Sequence, residues 1–78
     1  MIDWRQHIVS DPQICGGQLC AAGTRVLVTN ILDSLAEGAS REQILRSYPS
    51  LRALHIDAAL AYAANLAHEE TLIPLQPA

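Results

Sequence analysis

Two cysteines and three histidines are the side chains of this chain that are best suited to bind a metal ion. Cys15 and Cys20 are separated by four residues, and no second pair of cysteines accompanies them. A structural zinc site takes about four ligands, and His7, His55 and His68 do not complete a recognisable zinc-binding spacing. We therefore predict no metal site and no cofactor. Two reduced thiols are favoured over a disulfide, because the sequence shows no secretory context.

Arg25 and the serines are the residues that catalysis or phosphate binding could use. Arg25 follows a Gly-Thr turn, and nothing nearby supplies a nucleophile or a base. We interpret it as a structural clamp whose planar guanidinium pairs with Asp11, Asp33 or loop carbonyls. The serines have no histidine at a suggestive local spacing, and so short a chain rarely encloses a deep pocket, although triads can assemble from distant positions. The sequence therefore predicts a protein that is not an enzyme and has no catalytic residues.

All five basic residues are arginines, and three of them fall in the region of two predicted helices. We predict that Arg41, Arg46 and Arg52 contact the phosphates of a nucleic acid, and that His55, near the start of the third helix, is a further nucleic-acid contact. An ordinary solvated charge is at least as well supported for each of them. Nucleic-acid-binding proteins normally carry a basic patch, whereas this chain has a net charge of −3. The whole excess of acids lies from Ala53 onward.

The residues before the first helix have the pattern of a small β segment, residues 7–27. Residues 7–10 are predicted as a short strand that ends at an Asp-Pro turn. Two further β-capable pieces, about residues 18–20 and 25–27, are interrupted by glycines, where a backbone of positive φ is expected. This element is too small to be stable alone.

The first two helices are predicted from apolar periodicity and from their end signals. Apolar residues recur at i, i+3, i+4 and i+7 over residues 28–37, the pattern of one buried helix face, and the glycine that follows is a natural stop. Ser40 and Gln43 form a capping-box pattern that starts the second helix. Pro49 forbids its continuation and pushes Tyr48 out of helical geometry.

The third helix begins between residues 51 and 55, runs to about His68 and is the region where we expect a partner to bind. Its apolar stripe, assigned to the core of the domain itself, consists of Ile56, Ala59, Leu60, Ala63, Leu66 and Ala67. The opposite side is less polar than a solvated face usually is. Its predicted partner-binding residues are Ala58, Ala61, Tyr62 and Asn65. The alternative is that alanine occurs there only for its helix propensity.

The chain as a whole is predicted to be one domain, residues 1–78, with the β segment, a three-helix bundle (28–68) and an extended tail (69–78). At 78 residues it is near the lower limit for a single hydrophobic core, so we expect a homodimer. The tail contains two prolines and either binds a partner or folds back on the core; its apolar residues are Leu72, Ile73 and Leu75. The sequence has no signal core and no bilayer-spanning run. We therefore expect a cytoplasmic protein with no membrane partner.

Five short motifs occur in a fixed order along most of the chain. They are Ile8-x2-Asp11-Pro12-x-Ile14-Cys15-Gly16-Gly17, Gly23-Thr24-Arg25-x2-Val28, Leu35-x2-Gly38-x-Ser40-x3-Ile44, Tyr48-Pro49-x-Leu51 and Ala59-Leu60-x-Tyr62-Ala63. No single motif is diagnostic, but the ordered set, over about residues 8–64, closely resembles the DUF433 family. The residues that this resemblance marks as structural are Gly17, Gly23, Thr24, Arg25, Tyr48 and Pro49.

The resemblance implies a VapB-type antitoxin. Such a protein is mainly α, with a small N-terminal β segment and a three-helix, homeodomain-like helix-turn-helix bundle. The resemblance also implies a dimer that is paired with a PIN-domain-like ribonuclease toxin and that binds the operator of its own operon. The chain departs from the family pattern at Gln18 and Ala22, where basic side chains are usual. This departure argues against nucleic-acid binding by the β segment.

Three hypotheses of function are compatible with the sequence. The first is an antitoxin-like homodimer whose C-terminal third binds and silences a PIN-domain-like nuclease. The second is a DNA-binding transcriptional regulator without toxin contact. The third is a dimeric interaction module with neither activity.

Overall fold

The computed structural model describes residues 2–69. In chain order they form a short 3-10 turn (Trp4–Gln6), strands β1 (Ile8–Asp11) and β2 (Ile14–Ala21), and helices α1 (Val28–Ala36), α2 (Arg41–Ser47) and α3 (Ala53–Glu69). The two strands pair as an antiparallel sheet. The predicted order, a small N-terminal β segment followed by three helices, is confirmed, and the fold is mixed α/β and mainly helical.

The sheet is a hairpin with a large irregularity in β2. Ser10 pairs with Leu19, but its neighbour Asp11 pairs with Ile14, so the register shifts between these two residues of β1. The intervening part of β2 bulges out, and Gly16-Gly17 within it has φ values of 61° and 84°. Residues with a Cβ resist such angles, so glycine permits the bulge.

The prediction for the β segment is correct in position and wrong in two details. β2 has eight residues rather than the expected three, because strand pairing continues on both sides of the glycine bulge. The piece at residues 25–27 is not a strand, since Leu27 forms only an isolated bridge with Cys20.

The ends of α1 and α2 follow the predicted signals. α1 stops before Gly38, which has a φ of 96°. The capping box at the start of α2 is complete: the Ser40 N–H donates to Gln43 Oε1 (2.8 Å), and the Gln43 N–H donates to Ser40 Oγ (3.1 Å). α2 ends where Tyr48 leaves helical geometry (φ −126°, ψ 82°), one residue before Pro49.

The core lies where the three helices and the inner side of the hairpin meet. Each helix contributes one fully buried isoleucine, and these are Ile31, Ile44 and Ile56. The apolar face predicted for α1 is confirmed, because Val28 is buried with Ile31 and because Leu32 and Leu35 pack against the same cluster. The turn between α2 and α3 adds the buried Leu51.

The faces of α3 differ from the prediction. Leu60 and Leu66, which were assigned to the core of the domain, are 45% and 41% exposed, whereas Ala58, assigned to the partner-binding side, is 0% exposed. The buried face of α3 is centred near Ala59 and Tyr62, and at about 100° per residue this includes position 58 and excludes position 60. Leu66 continues this face but borders an open groove.

The predicted extended tail begins at residue 69, but Glu69 is the last residue of α3. The remainder of the tail lies outside the described residues, so the role predicted for Leu72, Ile73 and Leu75 stays a prediction. Within residues 2–69, no helix is long and apolar enough to cross a membrane.

Candidate functional site

Three of the predicted motif residues, Gly23, Thr24 and Arg25, lie where the turn after β2 meets the start of α3. Gly23 takes a φ of 80° in this turn. Thr24 is buried, and its Oγ1 donates to the Ala21 carbonyl (2.9 Å) and accepts from the Val26 N–H (3.0 Å). The Thr24 hydroxyl therefore joins both sides of the turn. Arg25 follows on the surface, and its role as a clamp stays a prediction.

His55 connects this turn to α3. Its Nδ1 accepts a hydrogen bond from the Arg52 N–H (2.9 Å), and its ring also hydrogen-bonds to the backbone of Ala22. Burial lowers the pKa of His55 below its usual 6.5; the bond to Ala22 raises the pKa by less, and the charges of His7 and Arg52 lower it further. His55 is therefore neutral at neutral pH.

The four residues predicted to contact nucleic acid have different surroundings. His55 is only 7% exposed, and its ring is engaged by Arg52 and Ala22, so its contact with nucleic acid stays a prediction. Arg41 of α2 forms an ion pair with Asp57 of α3. Arg46 is exposed in the last turn of α2, and Arg52 is exposed just before α3.

An open cleft of about 400 Å³ lies beside His55. The turn at residues 22–24 forms one wall, residues 50–55 form another, and His7 also lines the opening. Within residues 2–69, no group of three or more His, Cys, Asp or Glu side chains could hold a metal ion. The residues that line the cleft are far apart in the sequence, and they include hydrogen-bond donors.

A larger opening of about 620 Å³ lies between β2, α1 and α3, and we call it the apolar groove. Its apolar lining residues are Leu19, Val28, Leu32, Tyr62 and Leu66. The ring of Tyr62 packs edge-on against Trp4, with 5.0 Å between the ring centroids. This contact fixes one aromatic side chain at the wall of the groove.

The predicted partner-binding residues of α3 are distributed over three places. Ala58 lies in the core, and Tyr62 lines the apolar groove. Ala61 and Asn65 line a different opening of about 370 Å³ beside Trp4. The expectation of one continuous face is therefore corrected to two separate openings.

A sequence profile of the family described as "Protein of unknown function (DUF433)" matches residues 8–63. The chain belongs to the DUF433 family. The resemblance found in the sequence motifs is thus confirmed. The matched span of this DUF433 protein includes the turn at Thr24 and the start of α3, whereas His7 of the cleft and Leu66 of the apolar groove lie just outside it.

Two relatives of the DUF433 protein extend the comparison. The chain is 42% identical over 59 residues to the uncharacterized protein y4eO of Sinorhizobium fredii (strain NBRC 101917 / NGR234), a match that covers 76% of the chain and 27% of that relative. It is 30% identical to a DUF433 member protein from Anabaena variabilis ATCC 29413, whose crystal structure matches with a TM-score of 0.70 over 81% of this chain and 62% of that one. The chain therefore spans only part of the length of both relatives.

Proposed function

We propose that this DUF433 protein is an antitoxin-like binding protein, a cytoplasmic homodimer that neutralises a PIN-domain-like ribonuclease toxin without any catalysis of its own. The observation that carries the proposal is the apolar groove between β2, α1 and α3. A groove lined by apolar and aromatic side chains is a common way in which a protein binds an apolar segment of a partner. Leu66, at 41% exposure, and Tyr62 are the side chains that we assign to contact with the toxin.

The distribution of charge supports a protein partner for this end of the chain. From Ala53 onward the chain carries its whole net charge of −3. Glu69 and Glu70 follow Leu66 closely in the sequence, and acidic groups attract a basic protein surface while they repel DNA. We include the apolar residues that come next in the same partner surface: Leu72, Ile73 and Leu75.

Co-expression with a PIN-domain-like nuclease encoded beside the gene, followed by co-purification, tests this proposal. We expect the wild type to capture the nuclease, and Leu66→Gln to weaken the complex about tenfold, because an amide then replaces an apolar contact in the interface. Leu60→Gln is the matched control, since Leu60 is 45% exposed and does not line the groove.

Two results would contradict the proposal at different points. Equal capture by Leu66→Gln and wild type would show that the groove is not the toxin-binding surface. Failure of the wild type to capture the nuclease would reject the antitoxin-like role itself.

A DNA-binding regulator without toxin contact is the second candidate. It is supported by the order of α2, a short turn and α3, which is the order of a helix-turn-helix motif, and by the exposed Arg46 and Arg52 near that turn. If this candidate is correct, the protein binds a duplex of its own promoter, and its binding constant falls as the salt concentration rises. Each Arg→Gln change at these positions should reduce the magnitude of the slope of log binding constant against log salt concentration by about one. Absence of promoter binding at low salt contradicts it.

Failure of both candidates leaves a dimeric interaction module.

A further inference from the structure

The cleft beside His55 carries hydrogen-bond donors that the proposed toxin binding does not use. His7, Ser50 and Arg52 are among the residues that line it, and within residues 2–69 none of their side chains has a hydrogen-bond or ion-pair partner. No Asp or Glu is among the described residues that line the opening. A guanidinium, an imidazole and a hydroxyl around one opening are suited to bind an oxyanion.

The walls of the cleft are held in place by hydrogen bonds within the protein. The Ala22 N–H donates to the His7 carbonyl (2.8 Å), which joins the turn after β2 to the residue before β1. The bond from the Arg52 N–H to His55 fixes the backbone that carries the Arg52 side chain. Ser50 lies in a turn closed by a backbone hydrogen bond across residues 48–51. A ligand that binds here therefore orders side chains but not the backbone that carries them, which favours affinity.

The cleft is locally positive although the chain as a whole is acidic. Arg52 carries a positive charge, and the described residues that line the opening include no Asp or Glu to offset it. α3 starts at Ala53, so the positive end of its dipole adds to the same field. The ion pair between Arg41 and Asp57 lies outside the cleft lining. An anion in the cleft is therefore attracted by side chains and helix together.

We propose that this cleft binds a phosphate group, with Arg52 as the main charged donor and with His7 and Ser50 as further donors. The opening of about 400 Å³ also leaves room for the nucleoside or sugar to which a phosphate is attached. The site uses residues outside the apolar groove. It therefore goes beyond the antitoxin-like function and does not depend on it.

Amide NMR spectra of the ¹⁵N-labelled full chain, titrated with sodium phosphate and with adenosine 5′-monophosphate at constant ionic strength, test the site. We expect saturable shifts of the amides of Gly23, Ser50 and Arg52. Arg52→Gln should weaken binding about tenfold, and Ser50→Ala should weaken it less, because the guanidinium is itself charged and can donate two hydrogen bonds to a phosphate, whereas the neutral hydroxyl donates one. Both side chains are exposed, and the spectrum of each variant reports directly whether it is folded.

Arg5→Gln is the charge-matched control. The Arg5 guanidinium lies 4.7 Å from the Trp4 ring centroid and borders a different opening, so this variant should bind as the wild type does. An equal loss in the Arg5 and Arg52 variants would overturn the proposal, because binding would then follow net charge alone.

A third titration, with a short DNA duplex, identifies the source of the phosphate. Shifts of the same amides with DNA point to the phosphates of a nucleic-acid backbone, whereas shifts with the nucleotide but not with DNA point to a small phosphorylated ligand. Either result supports the site. Absence of saturable shifts at these amides with all three ligands would overturn it.

Discussion

At the start of α3, the side chain of His55 accepts a backbone hydrogen bond, as the side chain of Gln43 does at the start of α2. At the start of α2, the Gln43 side chain accepts the backbone N–H of Ser40, and at the start of α3 the His55 ring accepts the backbone N–H of Arg52. The imidazole does this through an unprotonated Nδ1, and its hydrogen bond to Ala22 also ties the helix to the β segment. Its protonation state is therefore linked to the fold.

We predict that the stability of the fold decreases as the pH falls below 6.5, the usual pKa of histidine. Burial lowers the pKa of His55 in the folded state, so between that lowered pKa and 6.5 the unfolded chain binds more protons. The contribution is fully present above 6.5 and is lost as the pH falls through the folded-state pKa. Urea unfolding measured from neutral to mildly acidic pH tests this. His55→Gln keeps an acceptor that does not titrate, so an equal loss of stability in that variant contradicts the prediction.

The hydroxyl of Thr24 has a similar structural role in the turn. Thr24→Val keeps the shape of the side chain but leaves the Ala21 carbonyl and the Val26 N–H without this partner. We expect the free energy of unfolding to fall by about 1–3 kcal/mol. Thr24→Ser retains the hydroxyl and should lose less. Chemical denaturation of the three proteins measures the difference, and equal stability of the Val and Ser variants would reject the role of the hydroxyl.

The residues of the turn after β2 were predictable from the sequence, but only some residues of the cleft were. Gly23 was expected at positive φ because glycine interrupts the β segment there, and the resemblance to the DUF433 family marked both Gly23 and Thr24 as structural. His7 and Ser50 had no assigned role, since the pairing of β1 with β2 and the packing of α3 bring them together. The hydrogen bond from the Arg52 N–H to His55 lies outside the capping-box pattern, which is defined with glutamate or glutamine.

At the scale of the elements, the bulge in β2 depends on glycine. Gly17 has a φ of 84°, and a Cβ added there would have only Pro12 Cα nearby, at 4.0 Å. The cost of Gly17→Ala is therefore conformational rather than steric, and we expect a loss of about 1–2 kcal/mol. Gly17→Asn should lose less, since asparagine tolerates positive φ. Thermal unfolding compares them, and an alanine variant as stable as the wild type would contradict the argument.

The helices were predictable where their signals are local. The capping box of α2, the glycine after α1 and the proline after Tyr48 each act within a few residues, and all three were placed correctly. The length of β2 was not predictable in this way, because it depends on pairing with β1 that resumes on the far side of the bulge. The orientation of α3 was also missed at Leu60, since an alanine-rich helix has little contrast between its faces and packing decides which face is buried.

For the molecule as a whole, we predict self-association. An exposed apolar side chain remains on the hairpin, where Val9 is 39% exposed. Covering this surface between two copies stabilises a chain whose own core is small. Sedimentation at micromolar concentration should give about twice the 8.4 kDa mass of one chain. A single species of monomeric mass at that concentration would reject the homodimer.

The buried isoleucine in each of the three helices has a consequence for how the protein unfolds. Ile31, Ile44 and Ile56 lie in one core cluster, so removal of any helix exposes the side chains contributed by the other two. α2 has only seven residues and is too short to persist as an isolated helix. No pair of helices therefore retains a closed interior, and unfolding should occur in a single cooperative transition. The slowest-exchanging amide protons of all three helices should then report one shared opening free energy.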